Sequence, residues 1–384
     1  MYFFLEKFVF LKKNTYLRNI KSETIMKKQL FIMAFLFLLG VVSVQAQEKK
    51  YSLYAIGFYN LENLFDTCHD EGHNDYEYLP EGRNKWTGMK YTHKLRNMAR
   101  VLSEMGTDKL PMGCAAIGVS EVENDKCLED LCNQEPLKKR NFQHVLLEGP
   151  DHRGVDCGLL YNPALFTIRN IKLVPYIYEK PEDAERATRG FFVVSGTLAG
   201  EHVTIIVNHL PSRGAVSYYR ELGGRQIRAV KDSLINDDPN VKLLIMGDMN
   251  DDPKDPSMSV ALGAKRKIKE IEEVGDLYNP FWDIHASGTG TLMYNGSWNL
   301  FDQIILSRSL LDLKNMKDKK PIQPGKIDCS TLKLYQPMIF RRDYLFQQEG
   351  RYKGGTLRTH AGGVWLDGYS DHLPTLVYLV KEQK

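Results

Sequence analysis

The sequence predicts an α/β protein with one mixed β-sheet, or two, and helices on the outer faces. Two observations support this prediction. Short runs of apolar or β-branched residues recur along the 384-residue chain, and segments with helical periodicity separate some of these runs. Other runs follow one another directly, which indicates antiparallel neighbours beside the parallel ones that a helical crossover allows.

Eight short segments are predicted as strands because they are apolar or rich in β-branched residues. They cover residues 53–59, 114–119, 156–161, 191–198, 202–207, 241–246, 303–306 and 373–380. Their lengths are those of ordinary strands, so each can cross a sheet once.

Three segments are predicted as helices and three as loops. Residues 92–105 carry apolar side chains at helical spacing, and Thr92 is the predicted cap of that helix. The other predicted helices cover residues 123–132 and 217–235, and the loops cover residues 67–91, 179–189 and 314–333. None of the loops is long enough to form a second domain, so one catalytic domain is expected.

The first 46 residues are predicted to be an extension and a cleaved signal peptide, which leaves a catalytic domain over residues 47–384. Met26-Lys27-Lys28 precedes an almost unbroken apolar run over residues 30–42, and Val44-Gln45-Ala46 supplies small residues at the cleavage position. A membrane anchor is the alternative, but the run is shorter than the roughly 20 residues of a spanning helix. We therefore expect export to the periplasm or the medium without a stable membrane anchor.

The mature chain carries almost no net charge. The whole chain has 51 Lys and Arg against 48 Asp and Glu residues, and seven basic and two acidic residues precede residue 47. The remaining 44 basic and 46 acidic residues give a net charge of −2. This balance excludes nucleic-acid binding through bulk positive charge, so any such contact depends on local groups.

Six cysteines remain in the mature chain, and in an exported protein they allow disulfides. Cys114 and Cys157 lie inside apolar runs and are predicted to be buried thiols. Cys127 and Cys132 form the best local pair for a disulfide. The sequence contains no C-x-x-C pair that would indicate zinc.

Six polar clusters end or follow short apolar runs, where loops converge over a rigid sheet. They are Phe58-Tyr59-Asn60, Ser120-Glu121, Asn208-His209, Gly247-Asp248-Met249-Asn250, Phe301-Asp302-Gln303 and Ser370-Asp371-His372. Together they supply carboxylates, imidazoles and amides. Such a set can bind a hard metal ion, hold a phosphate and activate a water molecule.

The acidic clusters suggest metal and phosphate binding. Glu121 can bind a hard cation such as Mg²⁺, Mn²⁺ or Ca²⁺. The alternative is that Glu121 is an acid at the start of the next helix, where the helix dipole stabilises it. We expect Glu123, which could compete for the ligand role, at that helix start. Asp248 and Asn250 lie two residues apart and share one face of an extended backbone. One can accept a proton or position water while the other donates to phosphate, unless they belong to an Asx-rich turn.

The histidines suggest proton transfer. His209 can donate to a phosphate oxygen or serve as a structural histidine, and Arg213 can form a phosphate fork or remain a solvated charge. His372 is the predicted general base, because an imidazole titrates close to neutral pH. Asp302 is a candidate for the acid that fixes the tautomer of His372, and Asp371 for a metal ligand.

Across residues 51–381 the chain resembles the endonuclease/exonuclease/phosphatase superfamily, typified by pancreatic deoxyribonuclease. The resemblance implies a four-layer α/β sandwich, with two mixed sheets packed face to face and helices outside. It also resembles a subgroup of secreted bacterial proteins over residues 59–66. The resemblance implies that Asn60 helps to arrange the metal and the phosphate and that Glu121 and Asp371 bind the metal. It implies that His209 pairs with Asp156 and that His372 forms a catalytic pair with Asp302. Asp248 and Asn250 are implied to position the nucleophile and the phosphate.

These residues lead to a metal-dependent phosphodiesterase as the first functional prediction, with nucleic acid as the favoured substrate and a monomeric state. Mg²⁺ is the expected cation, with Mn²⁺ or Ca²⁺ as alternatives, and Glu121 and Asp371 are expected to share it beside Asn60. A phosphomonoesterase or a phospholipid or inositol-phosphate hydrolase is the second hypothesis, since one core serves both chemistries. A binding module on a decayed fold is the third, and it would require a lost catalytic residue.

Two long separations, 61 positions from Asn60 to Glu121 and 69 from Asp302 to Asp371, predict loops that set substrate choice. Basic residues in or near the loops of the active face are expected to contact a polyanion. They are Arg213, Arg220, Arg225, Arg351, Lys353 and Arg358.

Overall fold

The computed structural model describes residues 13, 18–33, 49–294, 296–316 and 322–383. The chain divides into two compact units, Met1–Lys50 and Tyr51–Lys384. In the first unit, residues 18–33 form a helix with exposed side chains. Most of the predicted apolar run and the predicted cleavage position lie outside the described residues. Within the described ranges, no helix is both long and apolar enough to cross a membrane.

The second unit contains the strands and the remaining helices. The strands are β1 Tyr51–Leu64, β2 Cys114–Val122, β3 Gln143–Leu146, β4 Asp156–Tyr161, β5 Phe166–Val174, β6 Phe191–Leu198, β7 Glu201–His209, β8 Lys242–Asp248, β9 Ala264–Lys265, β10 Leu277–Tyr278, β11 Leu292–Tyr294, β12 Ser297–Asn299, β13 Asp302–Ser307, β14 Lys333–Ile339, β15 His360–Ala361, β16 Val364–Trp365 and β17 Thr375–Glu382. The α-helices are α1 Gly88–Glu104, α2 Asp125–Cys132, α3 Glu135–Lys138, α4 Ser217–Asp237 and α5 Trp282–Ala286.

The strands build two mixed sheets and two short hairpins. The first sheet has the order β14-β17-β1-β2-β4-β3, and the second has the order β5-β6-β7-β8-β13-β10-β9. Strand β1 is parallel to β2 and antiparallel to β17, and β7 is parallel to β8 while β8 is antiparallel to β13. The predicted mixed α/β architecture is therefore confirmed.

The inner faces of the two sheets pack directly on each other. A Cβ atom at Gly118 of β2 would lie 2.7 Å from Sδ of Met246 in β8 and 3.1 Å from Val207 in β7. A glycine at this point therefore lets the sheets approach closely. Apolar residues of both inner faces form one continuous core.

Helices cover the outer faces. Helix α1 buries Leu95 and Met98 against the first sheet, and the side chain of Met105 would meet a Cβ atom at Gly57 of β1 at 2.5 Å. Helix α4 buries Leu222 and Ile227 in a second apolar cluster on the far side of the second sheet. The four layers that the family resemblance implied are thus present.

The sequence patterns found the central strands and missed edge strands. All eight predicted strands are present, and the bounds of β4 and β6 are those predicted. Strand β5 was missed because its half-exposed surface alternates apolar with polar and charged residues. Strand β14 lies at the edge of the first sheet and contains Pro337, which an edge strand tolerates.

Two predicted helix starts were wrong. Helix α1 begins at Gly88, so Thr92 lies within it and its Oγ1 donates to the Gly88 carbonyl at 2.8 Å. Helix α2 is capped by Asn124, whose side chain accepts from the Cys127 N–H, because a short amide at this position satisfies a free donor. Glu123 therefore precedes the helix instead of starting it.

The cysteine predictions had mixed outcomes. Cys114 and Cys157 are buried thiols, as predicted. The predicted disulfide between Cys127 and Cys132 is wrong, since both are free thiols on α2. Five positions along a helix turn two side chains to different faces, which prevents the bond geometry that a disulfide requires.

Candidate catalytic site

Strand register brings the polar clusters of the sequence to one edge of the sandwich. In the second sheet, His209 at the end of β7 pairs in parallel with Asp248 at the end of β8. Asp302 at the start of β13 pairs antiparallel with the same Asp248. In the first sheet, Asn60 of β1 pairs in parallel with Ser120, the neighbour of Glu121. Residues up to 242 positions apart in sequence therefore lie at one site.

Asn60 joins two carboxylates of opposite sheets. Its Nδ2 donates to Oε1 of Glu121 at 3.1 Å and to Oδ2 of Asp248 at 3.0 Å. Its Oδ1 accepts from the Glu62 N–H at 2.9 Å, and its carbonyl accepts from the hydroxyl of Ser370 at 2.7 Å. With both ends of its amide engaged, the side chain is held in one orientation in the buried gap between the sheets.

Several side chains at this edge depend on left-handed backbone. Glu62, Asn63, Glu121 and Asn250 have φ between +48° and +61°, which is uncommon outside glycine. At Glu121 this turn directs the carboxylate so that Oε2 accepts from the Asn63 N–H at 2.9 Å. Such conformations cluster at functional sites because the surrounding structure must maintain them.

Asp248 and Asn250 do not share the face of an extended strand, contrary to the prediction. Strand β8 ends at Asp248, and the positive φ of Asn250 turns the chain. The Asn250 N–H donates to Oδ1 of Asp248 at 2.9 Å, which makes the Asx-type turn that was the alternative. The side-chain amide of Asn250 donates to the Leu210 carbonyl at 3.0 Å and thereby holds the segment after His209.

His209 lies between the carboxylates without its predicted acid partner. Its Nε2 is 3.6 Å from Oδ2 of Asp248 and 3.8 Å from Oε1 of Glu121. The predicted pair with Asp156 is not formed, since Nδ1 of His209 has no hydrogen-bond partner among the described residues. Oδ1 of Asp156 instead accepts from the Gly149 N–H at 3.0 Å, and burial raises the pKa of Asp156 to about 7.

His372 forms the contact predicted for a catalytic pair. Its Nδ1 lies 2.8 Å from Oδ2 of Asp302, which is fully buried. Its Nε2 lies 3.6 Å from Oδ2 of Asp248. The backbone N–H of His372 donates to the hydroxyl of Ser370, which fixes the main chain at this residue. The free face of the imidazole is therefore the Nε2 side.

The two histidines have opposite electrostatic environments. Burial alone would lower the pKa of His372. The negative charges of Asp302, Asp248 and Asp371 outweigh this effect, and the pKa lies well above its ordinary value. Burial and the positive charges of Arg189 and Arg153 bring the pKa of His209 well below its ordinary value. At neutral pH and without a bound cation, His372 is therefore protonated and His209 is neutral.

Asp371, the predicted metal ligand, pairs with an arginine. Its Oδ2 accepts from Nη2 of Arg358 at 2.9 Å, and Nε of the same guanidinium donates to Oε1 of Glu62 at 2.9 Å. Glu62 is 5% exposed and also accepts from the Thr359 N–H. Arg358 thus bridges a buried carboxylate to one at the site, and a planar guanidinium with several donors suits this bridge better than the ammonium of Lys.

Three groups of side chains offer potential ligand atoms within 4.8 Å of one another in the described part of the chain. One consists of Glu121, His209 and Asp248, and a second of Asp248, Asp302 and His372. Neither includes Asp371, so the structure does not gather the predicted pair of Glu121 and Asp371 with a third ligand. The first group fits a divalent cation, since two carboxylates share one Asn60 amide and neither pairs with a Lys or Arg side chain among the described residues.

Two of the basic residues expected over the active face serve the fold instead. Arg220 is 5% exposed, with Nε 2.9 Å from Oδ1 of Asp251. Nη2 of Arg213 lies 2.8 Å from Oδ2 of Asp255 and 3.2 Å from Oδ2 of Asp252, so this exposed guanidinium is paired with carboxylates. The acid-rich turn after Asn250 thus supplies counter-charges to both arginines.

Sequence reasoning missed three residues near the site. Sequence analysis did not single out Glu62 or the buried Lys94, because both contact Thr359, which is distant in the sequence. Glu62 accepts from the Thr359 N–H, and Nζ of Lys94 donates to Oγ1 of Thr359 at 2.6 Å. Tyr78 was assigned to a loop, yet its ring stacks on Phe65 at 4.2 Å, and burial together with Glu121 raises its pKa. The only sequence signal was the unusual length of the segment between Asn60 and Glu121.

Comparisons with known proteins agree with this architecture. A model of the Endonuclease/Exonuclease/phosphatase family matches residues 55–381. A comparison with curated proteins gives no significant match.

Three solved structures illustrate the fold. An endonuclease/exonuclease/phosphatase family protein from Bacteroides thetaiotaomicron is 12% identical, with a TM-score of 0.50 and coverage of 87% of this chain and 100% of that one. ANGEL2, a 2′,3′-cyclic phosphatase, is 12% identical, with a TM-score of 0.50 and coverage of 88% and 99%. A mannosyl-6-phosphatase from Bacteroides thetaiotaomicron VPI-5482 is 14% identical, with a TM-score of 0.49 and coverage of 85% and 99%. At these identities the likeness concerns the fold alone.

Proposed function

Because this chain belongs to the endonuclease/exonuclease/phosphatase family, we propose that it is an exported, divalent-cation-dependent phosphodiesterase with nucleic acid as its substrate. The observation that supports this proposal is the convergence on Asp248. Its Oδ2 accepts from Asn60 and lies 3.6 Å from Nε2 of both His209 and His372. A carboxylate, an amide and two imidazoles with opposite pKa shifts therefore surround one small volume.

Glu121 and Asp248 are the residues that would hold the cation, with Asn60 fixing the carboxylates. Mg²⁺ is the proposed ion and Mn²⁺ the alternative, since hard carboxylate oxygens dominate the donor set. Bound there, a divalent cation would neutralise the carboxylates, polarise a phosphoryl oxygen and stabilise a leaving oxygen.

His372 is proposed to take the proton of the attacking water at Nε2. Asp302 accepts from Nδ1–H, which leaves the lone pair of the neutral ring on Nε2. The same contact stabilises the imidazolium that forms when the proton is transferred. The raised pKa of His372 means that this nitrogen must first lose a proton, so activity should increase with pH on the acid side.

His209 is proposed to donate from Nε2 to a non-bridging phosphate oxygen. Its depressed pKa keeps the ring neutral, and the carboxylates at 3.6 and 3.8 Å favour the tautomer with the proton on Nε2. A neutral donor beside two carboxylates can hold an oxygen without adding an ion pair that must later be broken. Asn250 contributes by fixing the turn that carries Asp248.

One observation favours the second candidate, a hydrolase of a compact phosphate monoester or an inositol or lipid phosphate. Arg213, Arg220 and Arg358 are all engaged by carboxylates, and the mature chain carries a net charge of −2. A polyanion that contacts many phosphates normally needs several available cations. A small phosphate ester needs only the site itself.

A paired assay separates the two candidates. With Mg²⁺ or Mn²⁺ present, single- and double-stranded DNA and RNA are compared with inositol phosphates, sphingomyelin and a simple phosphomonoester. We expect cleavage of a polynucleotide that is lost in Glu121→Gln. Turnover of monoesters without cleavage of any polynucleotide would instead assign the phosphatase activity.

A further inference from the structure

A second cluster of potential ligands lies outside the catalytic site, where the 66–75 loop meets helix α2. Asp66, Glu123 and Cys127 place ligand atoms within 4.8 Å of one another, and their exposures are 7%, 3% and 0%. None of the three has a catalytic role in the function proposed above. The cluster belongs entirely to the segments that follow β1 and β2.

The cluster contains an oxygen atom with no partner. Oε2 of Glu123 accepts from the Asp66 N–H at 2.7 Å and lies 3.8 Å from Sγ of Cys127. Oε1 of the same carboxylate is buried and has no hydrogen-bond partner among the described residues. A buried carboxylate oxygen without a donor is costly, because neither water nor protein compensates its lost hydration. Because it belongs to the carboxylate whose other oxygen faces Cys127, this free oxygen also lies at the cluster.

We propose that Asp66, Glu123 and Cys127 form a structural zinc site, with Oε1 of Glu123 as one ligand and a water molecule completing the coordination. Two carboxylates and a thiolate suit a borderline-soft divalent ion better than Mg²⁺ or Ca²⁺. In tetrahedral zinc with Zn–S and Zn–O bonds of about 2.3 and 2.1 Å, sulfur and oxygen ligands are about 3.6 Å apart. The observed separation of 3.8 Å runs from Sγ of Cys127 to Oε2 of Glu123 and places this carboxylate beside the thiol.

The surrounding contacts resemble an outer shell that orients the ligands. Oδ1 of Asp66 accepts from the Cys68 N–H at 2.6 Å, which leaves Oδ2 for an ion. Asn124, next to Glu123, accepts from the Cys127 N–H and donates to Oδ2 of Asp70 at 3.2 Å. The ion would thereby connect the loop to the start of helix α2 and to strand β2, which carries Glu121.

Cadmium provides a probe that reports on the thiolate directly. Addition of Cd²⁺ to the purified protein should produce an ultraviolet thiolate-to-metal charge-transfer band that saturates at one ion per chain. The band should persist in Cys132→Ser, because Cys132 lies on the same helix and is a buried free thiol outside the cluster. The band should disappear in Cys127→Ser. In Asp66→Asn the apparent affinity for Cd²⁺ should fall at least tenfold.

The catalytic cation must be distinguished from this one. Glu121→Gln should keep the cadmium band, which separates the two sites whatever the outcome of activity assays. Zn²⁺ at about a hundredfold excess over its Kd should raise the Tm of the wild type and of Cys132→Ser by roughly 5 °C, but not that of Cys127→Ser. Absence of the band in the wild type, or an unchanged band in Cys127→Ser, would overturn the proposal.

Discussion

Oδ2 of Asp302 lies 2.8 Å from Nδ1 of His372, and the two residues are 70 positions apart in the sequence. Asp302 starts strand β13 and is fully buried, whereas His372 lies in the segment before β17 of the other sheet. The contact therefore connects the two sheets at the edge where the catalytic groups meet. It fixes both the tautomer of the imidazole and the direction of its free nitrogen.

Replacement of Asp302 by Asn tests this contact. Asp302 is the first of the charges that raise the pKa of His372, so Asp302→Asn should lower that pKa and move the acid limb of the kcat/KM profile to lower pH. We also expect kcat to fall by roughly 10²-fold, because the amide does not stabilise the imidazolium. An acid limb that does not move would show that His372 is not the titrating base.

The two histidines should act on one transition state. His372→Ala and His209→Ala should each lower kcat by roughly 10²–10⁴-fold, and the double variant should lose much less than the product of the two effects. Steady-state kinetics of the four proteins measures the coupling. Activity of His372→Ala within a few-fold of wild type would contradict the mechanism.

Removal of the Glu121 carboxylate should abolish the cation-dependent activity. Glu121→Gln keeps the size of the side chain and its contact with the Asn63 N–H, so circular dichroism should show an intact fold. Exhaustive chelation of the wild type should produce the same loss, and addition of Mg²⁺ or Mn²⁺ should restore only the wild type. Full activity in either case would exclude the proposed cation site.

Cation affinity should depend on pH through Asp248. Burial, with Asp302 and Glu121, raises the pKa of Asp248 to about 7, although His372 opposes this shift. The folded protein therefore binds more protons than the unfolded chain between about pH 4 and pH 7, and this group's contribution to stability falls as pH rises through that window.

A cation competes with that proton. Its apparent affinity, measured by calorimetry, should therefore rise about tenfold per pH unit up to pH 7 and level off above it. Asp248→Asn should lose this dependence together with most of the affinity. Affinity that is constant from pH 5.5 to pH 8 would contradict the raised pKa.

The bridge made by Arg358 should matter for both stability and substrate binding. Arg358→Met leaves the buried Glu62 with the Thr359 N–H as its hydrogen-bond donor in the described part of the chain. We therefore expect the free energy of unfolding, measured in urea, to fall by about 2 kcal/mol. Arg358→Lys should recover only part of this stability, since a compact ammonium cannot reproduce the planar bridge between two carboxylates. Arg351→Met is the matched control in the same segment, where the side chain is exposed and stacks on Tyr352. Equal losses in the two Met variants would exclude a specific role for the bridge.

The sequence by itself was sufficient for the central strands, the fold class and the catalytic residue types. Central strands such as β4 and β6 are mostly apolar because both of their faces are largely buried, and this pattern is local. The clusters around Glu121, His209 and Asp248 were found because each lies at the end of such a strand, and the cluster around His372 because it precedes one. Alternation of polarity and turn residues depends only on neighbours along the chain, so sequence reasoning reaches it.

The tertiary structure decided the partners of those residues. Asp156 does not bond to His209, Asp371 pairs with Arg358, and Arg220 is buried against Asp251. These outcomes depend on strand register, on loop paths and on left-handed turns. The two contacts that are formed join positions 13 and 31 residues apart in the chain. The free energy that selects them comes from burial and charge, which sequence spacing does not encode. The same holds for the cluster of Asp66, Glu123 and Cys127, whose members are unremarkable until the loop after β1 packs on helix α2.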